Sequence, residues 1–325
     1  MSEATQWHLV GDIGGTNARF GLFFDDPNQA TDIASYRVAD FPTFTGVLHQ
    51  LMADAERLDH VEGPPASVCL AVAGPPHGDT ISFTNSPWRF SIGMVEACTG
   101  APRVRVINDF AAVARALPAL SAEDLEQIGE GHQQPGATQV ALGPGTGLGV
   151  AALVPGLDGR PSVVHGEGGH VDFAPVTDVE IEIFKRLRAQ FGRVSIERLL
   201  CGDGIVNLYR ALCDIHGVAA QKTSAGNIGS AAQQNSDPIC AQTLRTFFTL
   251  LGSSAGNFAL SFGALGGVFI AGGIAPRYVD LLRQSEFRAR FLMKGRLADY
   301  LSTIPTFLIT RPNIGLLGAA LSLTD

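Results

Sequence analysis

The sequence has 325 residues, of which 46% are apolar and 17% are charged, and its formal net charge is -8. This composition is typical of a compact globular protein and excludes a disordered chain, while the length favours two domains or one large α/β unit. The negative charge argues against nucleic acid as a partner, because nucleic-acid binding depends on neutralising phosphates, but it leaves open a nucleotide held by backbone amides.

The first predicted unit is a strand, a glycine turn and a second strand in WHLVGDIGGTNARFGLFF, residues 7–24. Successive N–H groups in a glycine turn form a concavity that suits anions. Phosphate oxygens could therefore contact the residues of this turn and its flanks: Asp12, Gly14, Gly15, Thr16 and Asn17. A tight hairpin without any ligand explains the same glycines equally well. A buried strand, SVCLAVAGPP at residues 67–76, follows and ends at a Gly-Pro pair.

The next strand and helix meet at two polar residues in RVRVINDFAAVARALPAL, residues 103–120. Apolar residues predict a strand up to residue 107, and helical spacing then continues as far as Pro118. Asn108 and Asp109 stand at the joint. They could cap the helix, since both residue types are favoured there, or provide a catalytic base at the carboxyl edge of a sheet.

A second strand, glycine turn and strand lies in TQVALGPGTGLGVAALVPG, residues 138–156, with Gly145, Thr146 and Gly147 in the turn. Its match to the first unit predicts a duplicated α/β fold with a cleft between two halves. A Walker A loop is excluded because none of the three lysines follows a glycine, and the glycine spacing does not fit a Rossmann fingerprint. Phosphates would therefore be held by the hairpins.

A polar cluster follows in GEGGHVDF, residues 166–173, where Glu167 and His170 stand among glycines. Such a loop could fit a ligand with several hydroxyl groups, although each residue alone is more often solvated or structural. Glu197 lies in the first turn of a later helix, where a carboxylate also suits the helix dipole.

Three helical segments are predicted at residues 177–192, 195–217 and from 236 onward, with Ser195 and Asp237 as N-caps. No charge occurs between Arg245 and Arg277, but the seven glycines of this stretch favour a helix and a strand over a membrane span. The strand GGVFIAGGIAPR ends at Gly272 and Gly273. Those glycines could border an adenine ring or simply permit close packing.

The five cysteines show no C-x-x-C spacing, and MSEATQWHLV lacks the features of a signal peptide. Reduced thiols in a cytoplasmic protein without a membrane segment are therefore expected.

Six motifs in order resemble bacterial glucokinases of the ATP-dependent, zinc-free group: LVGDIGGTNARFGLF, INDFAAVA, LGPGTGLGVA, GEGGHVDFAP, SIERLLCGDGIVNLYRAL and FIAGGIAPR. The resemblance implies the two-domain actin-like ATPase fold, related to ribonuclease H, with a cleft between the domains. We expect a small domain at residues 1–118, completed by a C-terminal helix at 308–325, and a large domain at 119–307. The family is typically homodimeric.

The resemblance also implies the roles of individual residues. Asp109 would be the base for the C6 hydroxyl of glucose, with Asn108, Glu167, His170 and Glu197 binding the sugar. The two glycine hairpins would hold the ATP phosphates, Asp12 would orient Mg²⁺ through water, and Gly272 and Gly273 would border the adenosine. No zinc is expected, because the closely spaced cysteines of the related repressor and sugar-kinase branch are missing.

Three alternatives are weighed against this function. A sugar-sensing regulator would need an N-terminal helix-turn-helix, for which the roughly eight residues before the first strand leave no room. A chaperone or filament ATPase of the same superfamily would lack the sugar cluster. Another hexose or amino-sugar kinase, or a donor such as ADP or polyphosphate, stays open.

Overall fold

The computed structural model describes residues 6–74, 78, 80–82, 88–156 and 159–324. The chain divides into two compact units, a smaller one of residues 1–121 with 311–325 and a larger one of residues 122–310. Residues 1–5 of the N-terminal segment MSEATQWHLV lie outside the described residues, and so do Pro75 and Pro76 at the end of the predicted strand 67–76.

Among its described residues, the smaller unit begins with seven strands and three α-helices. The strands are β1 (His8–Ile13), β2 (Asn17–Phe23), β3 (Thr31–Arg37), β4 (Ser67–Val72), β5 (Ile81–Ser82), β6 (Arg89–Phe90) and β7 (Val104–Asn108). The helices are α1 (Phe44–Ala55), α2 (Ile92–Thr99) and α3 (Asp109–Ala116). Five of the strands form one sheet in the order β3-β2-β1-β4-β7, in which β1, β4 and β7 are parallel and β2 is antiparallel to both of its neighbours.

The described residues of the larger unit form six strands and eight α-helices. The strands are β8 (Leu125–Gln127), β9 (Gln139–Pro144), β10 (Leu148–Val154), β11 (Ser162–Gly166), β12 (Val268–Ile270) and β13 (Thr306–Ile309). The helices are α4 (Asp178–Phe191), α5 (Gly202–Ile215), α6 (Ala225–Gln233), α7 (Pro238–Phe262), α8 (Ile274–Arg277), α9 (Val279–Arg283), α10 (Phe287–Leu292) and α11 (Ala298–Ser302). The final helix, α12 (Ile314–Leu321), belongs to the smaller unit.

The six-stranded sheet has the order β11-β10-β9-β12-β13-β8. Its first five strands repeat the topology of the other sheet, since β9, β12 and β13 are parallel and β10 is antiparallel to β9 and β11. The predicted duplication of strand, glycine turn and strand is therefore confirmed in the topology of the two sheets.

Each unit has its own apolar core. Large aromatic side chains fill that of the smaller unit, including Trp7, Phe20, Phe44 and Trp88. The core of the larger unit surrounds α7, whose predicted N-cap Asp237 accepts hydrogen bonds from the amides of Ile239 and Cys240 at 2.9 and 3.2 Å. Among the described helices, none is both long and apolar enough to cross a bilayer.

Two predicted details of the chain are wrong. Residues 306–309 pair with β12 and β8 as strand β13, so the C-terminal helix begins at Ile314 rather than at residue 308. The two predicted domain boundaries, after residues 118 and 307, each lie three residues before the observed boundary between the units. Ser195 precedes only a single 3₁₀ turn, Ile196–Arg198, without a side-chain cap, and α5 is capped instead by the Cys201 sulfur, 3.3 Å from the amide of Gly204.

Candidate active site

The glycine hairpin of the larger unit joins β9 to β10 through the turn of Gly145, Thr146 and Gly147. The Gly145 amide donates to the Gly147 carbonyl at 2.8 Å, and the Gly145 carbonyl accepts from the amide of Gly202, the first residue of α5, at 2.9 Å. A Cβ atom at Gly145 would meet no atom within 4 Å. The turn is thus anchored on one side and open on the other.

A cavity of about 330 Å³ lies on the open side of this turn and is lined by residues of the larger unit. Gly145 and Thr146 form one wall and Gly273 another. The first residues of α5, α6 and α8 also border the cavity. The backbone N–H groups in the first turn of a helix have no partner within that helix. Such groups suit anionic ligands.

Eight residues that line this cavity were not predicted as site residues: Gly202, Asp203, Ala225, Gly226, Ile205, Ile274, Arg277 and Tyr278. Small residues at the starts of two helices, in CGDG and SAGN, were the available signal for the first four. Arg277 is exposed, and its guanidinium carbon lies 5.6 Å from the ring centroid of buried Tyr278. The Tyr278 ring in turn packs against Gly229 of α6.

The two glycines at the end of β12 have different surroundings. Gly272 has a positive φ of 81°, and a Cβ atom there would come within 2.5 Å of the Pro144 carbonyl oxygen at the end of β9. Gly273 lines the cavity, and a Cβ atom there would meet nothing within 4 Å. Close packing therefore explains Gly272, while Gly273 is the glycine that faces space for a ligand.

The predicted sugar-binding residues of the larger unit lie around one short turn. Glu167 precedes the 3₁₀ turn Gly168–His170 and is exposed. His170 Nε2 lies 3.8 Å from Glu197 Oε1, with 56% of the His170 side chain and 28% of the Glu197 side chain exposed. The structure thus brings His170 and Glu197 together, although 27 positions separate them in the sequence.

The hairpin of the smaller unit turns at Gly14, Gly15 and Thr16, and the Gly14 amide donates to the Asn17 carbonyl at 2.9 Å. Asp12 and Asn17, which were predicted as parts of this loop, lie in β1 and β2. Burial raises the pKa of Asp12, and nearby Arg19 opposes that shift.

Helix α12 contacts the Asp12 carboxyl group through a glycine. A Cβ atom at Gly315 would lie 2.7 Å from Asp12 Cγ, so this close approach requires a residue without a side chain. Asp12 is therefore placed beside the first turn of α12, where a carboxylate is favoured by the helix dipole.

Asn108 and Asp109 stand where β7 ends and α3 begins, and the structure shows which of them caps the helix. Asn108 is the N-cap of α3, because its Oδ1 accepts from the amides of Phe110 and Ala111 at 2.9 and 3.1 Å. Asn108 Nδ2 lies 3.4 Å from the Gly74 carbonyl oxygen. Asp109 is the first helical residue, and its Oδ1 accepts from the Phe110 amide at 2.9 Å. Since Asn108 caps the helix, capping does not require Asp109.

The part of the chain that the structure describes has no group of three or more His, Cys, Asp or Glu side chains that could hold a metal ion. A metal that enters with a nucleotide needs fewer protein ligands, because Mg²⁺ usually retains waters and is bound through one or two carboxylates and the phosphates.

The fold defines the class of protein. A ROK family glucokinase from Streptomyces griseus, solved in complex with glucose and AMPPNP, is similar with a TM-score of 0.64 at 20% identity, over 97% of this chain and 98% of that one. A glucokinase from Balamuthia mandrillaris, solved in complex with glucose, gives a TM-score of 0.83 at 21% identity, over 99% and 95%. The chain has the two-domain actin-like ATPase fold of these sugar kinases.

Sequence similarity identifies the family. The family model Glucokinase matches residues 9–325. A glucokinase of Hahella chejuensis is 44% identical, over 100% of this chain and 99% of the relative, and one of Paramagnetospirillum magneticum is 43% identical, over 99% and 98%. The solved glucokinase of an Antarctic psychrotroph is 36% identical, with a TM-score of 0.83 over 98% of this chain and 99% of that one. The chain belongs to the glucokinase family.

Proposed function

We infer that this protein is an ATP-dependent glucokinase, which transfers the γ-phosphoryl group of ATP to the C6 hydroxyl of D-glucose and releases glucose 6-phosphate and ADP. Family membership over residues 9–325 supports the reaction. The observation that carries the assignment of the nucleotide site is the cavity between the turn 145–147 and Gly273. Both borders are residues for which the sequence predicts contact with ATP.

We propose that the ATP phosphates contact the backbone amides and Thr146 hydroxyl of the larger hairpin, and that the adenosine lies against Gly273 and the start of α6. Arg277 supplies a positive charge at the cavity wall, where it can contact the nucleotide. The turn of Gly14, Gly15 and Thr16, of which Thr16 is exposed, contributes further N–H groups for the phosphates.

The residues that we propose for glucose binding are Glu167, His170 and Glu197, with Asn108 and Asp109. The Asn108 oxygen is already used for capping, so its amide NH₂ group would donate to the sugar. Carboxylates and an imidazole match the several hydroxyl groups of a hexose as hydrogen-bond partners.

Asp109 acts as general base. It accepts the proton of the C6 hydroxyl while that oxygen forms a bond to the γ-phosphorus and the bond to the bridging oxygen of ADP breaks. Phosphoryl transfer needs little covalent chemistry from the protein, so positioning and charge stabilisation account for most of the rate. The start of α3 favours the ionised carboxylate that this step requires.

Mg²⁺ fits the residues of the smaller hairpin. One carboxylate, that of Asp12, lies two residues before the turn, and a single carboxylate is enough for an ion that also binds the ATP phosphates, directly or through water. When bound, Mg²⁺ neutralises part of the phosphate charge. We further propose a cytoplasmic homodimer without zinc.

A coupled assay of ADP release tests this function directly. Glucose, mannose, fructose, glucosamine and N-acetylmannosamine are each offered with ATP, and glucose is then offered with ADP or polyphosphate. We expect the highest kcat/KM for glucose with ATP and a requirement for Mg²⁺. A preference for an amino sugar or another hexose would support the alternative of a different sugar kinase. Stoichiometric zinc whose removal abolishes activity would contradict the zinc-free assignment.

A further inference from the structure

Glu197 contacts both the hairpin that we assign to ATP and the cluster that we assign to the sugar. Its Oε2 accepts a hydrogen bond of 2.8 Å from the amide of Leu148, the first residue after the turn 145–147. Its Oε1 lies 3.8 Å from His170 Nε2. The two oxygens of one carboxylate therefore face two different parts of the candidate site.

Two glycines make room for this carboxylate. A Cβ atom at Gly147 would lie 2.6 Å from Glu197 Oε2, and one at Gly169 would lie 3.3 Å from the same oxygen. Gly147 belongs to the phosphate hairpin and Gly169 to the sugar-binding turn. The position of the carboxylate thus depends on both loops, and it can respond to a change in either.

The segment that carries Glu197 also holds the other end of the hairpin turn. Residues 196–202 run from the 3₁₀ turn of Glu197 to the start of α5, where the Gly202 amide donates to the Gly145 carbonyl at 2.9 Å. The Arg198 carbonyl accepts from Asn207 Nδ2 of α5 at 2.9 Å, which fixes the segment to that helix. A displacement of Glu197 would therefore also move the turn 145–147.

The same segment pairs with the chain that follows the sugar cluster. The Ile196 amide donates to the Val171 carbonyl at 3.0 Å, and the Phe173 amide donates to the Val194 carbonyl at 2.9 Å. Arg193 also donates to the His170 carbonyl at 2.6 Å. A continuous set of hydrogen bonds thus joins the sugar-binding turn to the phosphate hairpin, all within the larger unit.

We propose that Glu197 is a positioning residue that couples sugar binding to nucleotide binding. A sugar hydroxyl that donates to Oε1 holds the carboxylate in the orientation in which Oε2 fixes the Leu148 amide, and the hairpin is then ordered for the phosphates of ATP. The inference rests on the proposed function. By linkage, the nucleotide must then raise the affinity for the sugar by the same factor.

The test is a calorimetric titration with AMPPNP, with and without glucose at ten times the glucose dissociation constant of each variant. For the unmodified protein we expect glucose to raise the AMPPNP affinity by about five- to 150-fold, the usual range of such coupling. Glu197→Gln keeps an oxygen that can accept from Leu148, so affinity without glucose should stay within about threefold. The effect of glucose should fall to about twofold or less, because the remaining NH₂ group cannot accept from a sugar hydroxyl.

Three further variants separate coupling from general damage. Glu197→Ala removes the hydrogen bond to Leu148 and should weaken AMPPNP about two- to tenfold even without glucose. Gly147→Ala displaces the carboxylate while keeping its charge, and it should reduce the glucose effect if Glu197→Gln fails to fold. Glu167→Gln is the matched control: it should weaken glucose binding but keep the full glucose effect at saturation, since no described hydrogen bond joins Glu167 to the hairpin.

The proposal is overturned if glucose leaves the AMPPNP affinity of the unmodified protein unchanged, or if Glu167→Gln and Glu197→Gln reduce the effect equally. Failure of the proposed function is a separate result, because a protein that phosphorylates no glucose would be recognised in the coupled assay. Normal glucose phosphorylation without a glucose effect on AMPPNP rejects the coupling alone.

Discussion

The two glycine hairpins have similar sequences and different surroundings. In the larger unit, the turn 145–147 borders a cavity and is held at both ends by the separate segment 196–202. In the smaller unit, the turn closes on itself through Gly14 and Asn17, and its neighbouring carboxylate Asp12 is contacted by α12. A short motif therefore predicts a hairpin, whereas its function depends on chain segments that are distant in the sequence.

We expect substitutions in the two units to have different effects. The larger unit has the cavity and the side chains that we propose to bind the sugar, so its substitutions should change binding constants. The smaller one offers the carboxylate Asp109 at the end of β7, so its central substitution should change turnover.

Asp109→Asn should have the largest effect. An amide cannot accept the C6 hydroxyl proton, and general-base catalysis contributes about 10²–10⁴-fold, so kcat should fall by at least about 100-fold. Glucose affinity should change little, because Asn can still hydrogen-bond the hydroxyl. Stopped-flow or coupled assays give kcat, and calorimetry gives the glucose dissociation constant.

Asn108 provides the matched control for that variant. Asn108→Ala removes the cap of α3 and should lower the free energy of unfolding by about 1 kcal/mol. Asp109→Asn leaves that cap intact and should unfold at a similar denaturant concentration to the unmodified protein. If Asp109→Asn keeps more than about a tenth of the kcat, the loss is smaller than a general base usually contributes, and Asp109 is not the base.

Gly145→Val should have the next largest effect and should act on the nucleotide. Its side chain would enter the open space on the cavity side of the turn and conflict there with bound phosphates, and a steric cost of about 1–3 kcal/mol corresponds to a rise of about five- to 150-fold in the ATP dissociation constant. Glucose affinity measured without nucleotide should be unchanged. Gly145→Ala should give a smaller shift in the same direction. Equal losses for both ligands would indicate misfolding instead of a blocked cavity.

Arg277→Met tests a residue that the sequence did not single out. The Met side chain keeps most of the apolar contact with Tyr278 but removes the positive charge. Because the guanidinium is exposed and its charge is screened, we expect a loss of about tenfold or less in ATP affinity, and it should shrink further in high salt. Arg296→Met, at an exposed position that does not line the cavity, is the control. An equal loss in both variants would remove Arg277 from the nucleotide site.

Local sequence patterns predicted most of the strands and helices, but they could not predict contacts between segments that are distant in the sequence. Apolar periodicity and glycine turns gave both hairpins, the strand before Asn108 and helix α7 with its Asp237 cap. The sequence could not show which of two adjacent cap-forming residues would cap α3, because both types are favoured there. Nor could it show that Gly272 packs on Pro144, since that contact joins two strands far apart in the chain.

Most of the residues missed at the cavity have small side chains or lie at the starts of helices whose ends depend on tertiary contacts, as with Gly202 and Gly226. Arg277 and Tyr278 are the exceptions. Backbone N–H groups carry no residue-specific signal, so a site built from them is invisible until the helices are placed. Glu197 was predicted for the sugar alone, and only its hydrogen bond to Leu148 shows the second contact.

Thr16→Val and Thr146→Val are matching substitutions in the two hairpins, and we expect them to have the smallest effects. Both threonines are exposed at the turn, and valine keeps the shape of the side chain while removing one hydroxyl donor. A single hydrogen bond contributes about 0.5–1.5 kcal/mol, so each variant should raise the ATP dissociation constant by about two- to tenfold, as measured by calorimetry.

Equal shifts mean that both turns hold the phosphates despite their different surroundings. If Thr146→Val weakens ATP binding and Thr16→Val does not, the Thr16 hydroxyl of the smaller hairpin does not contact the phosphates. Gly14 and Gly15 would then be explained by the tight turn between β1 and β2 alone, and the shared sequence pattern would reflect duplication of the fold without duplication of the binding site.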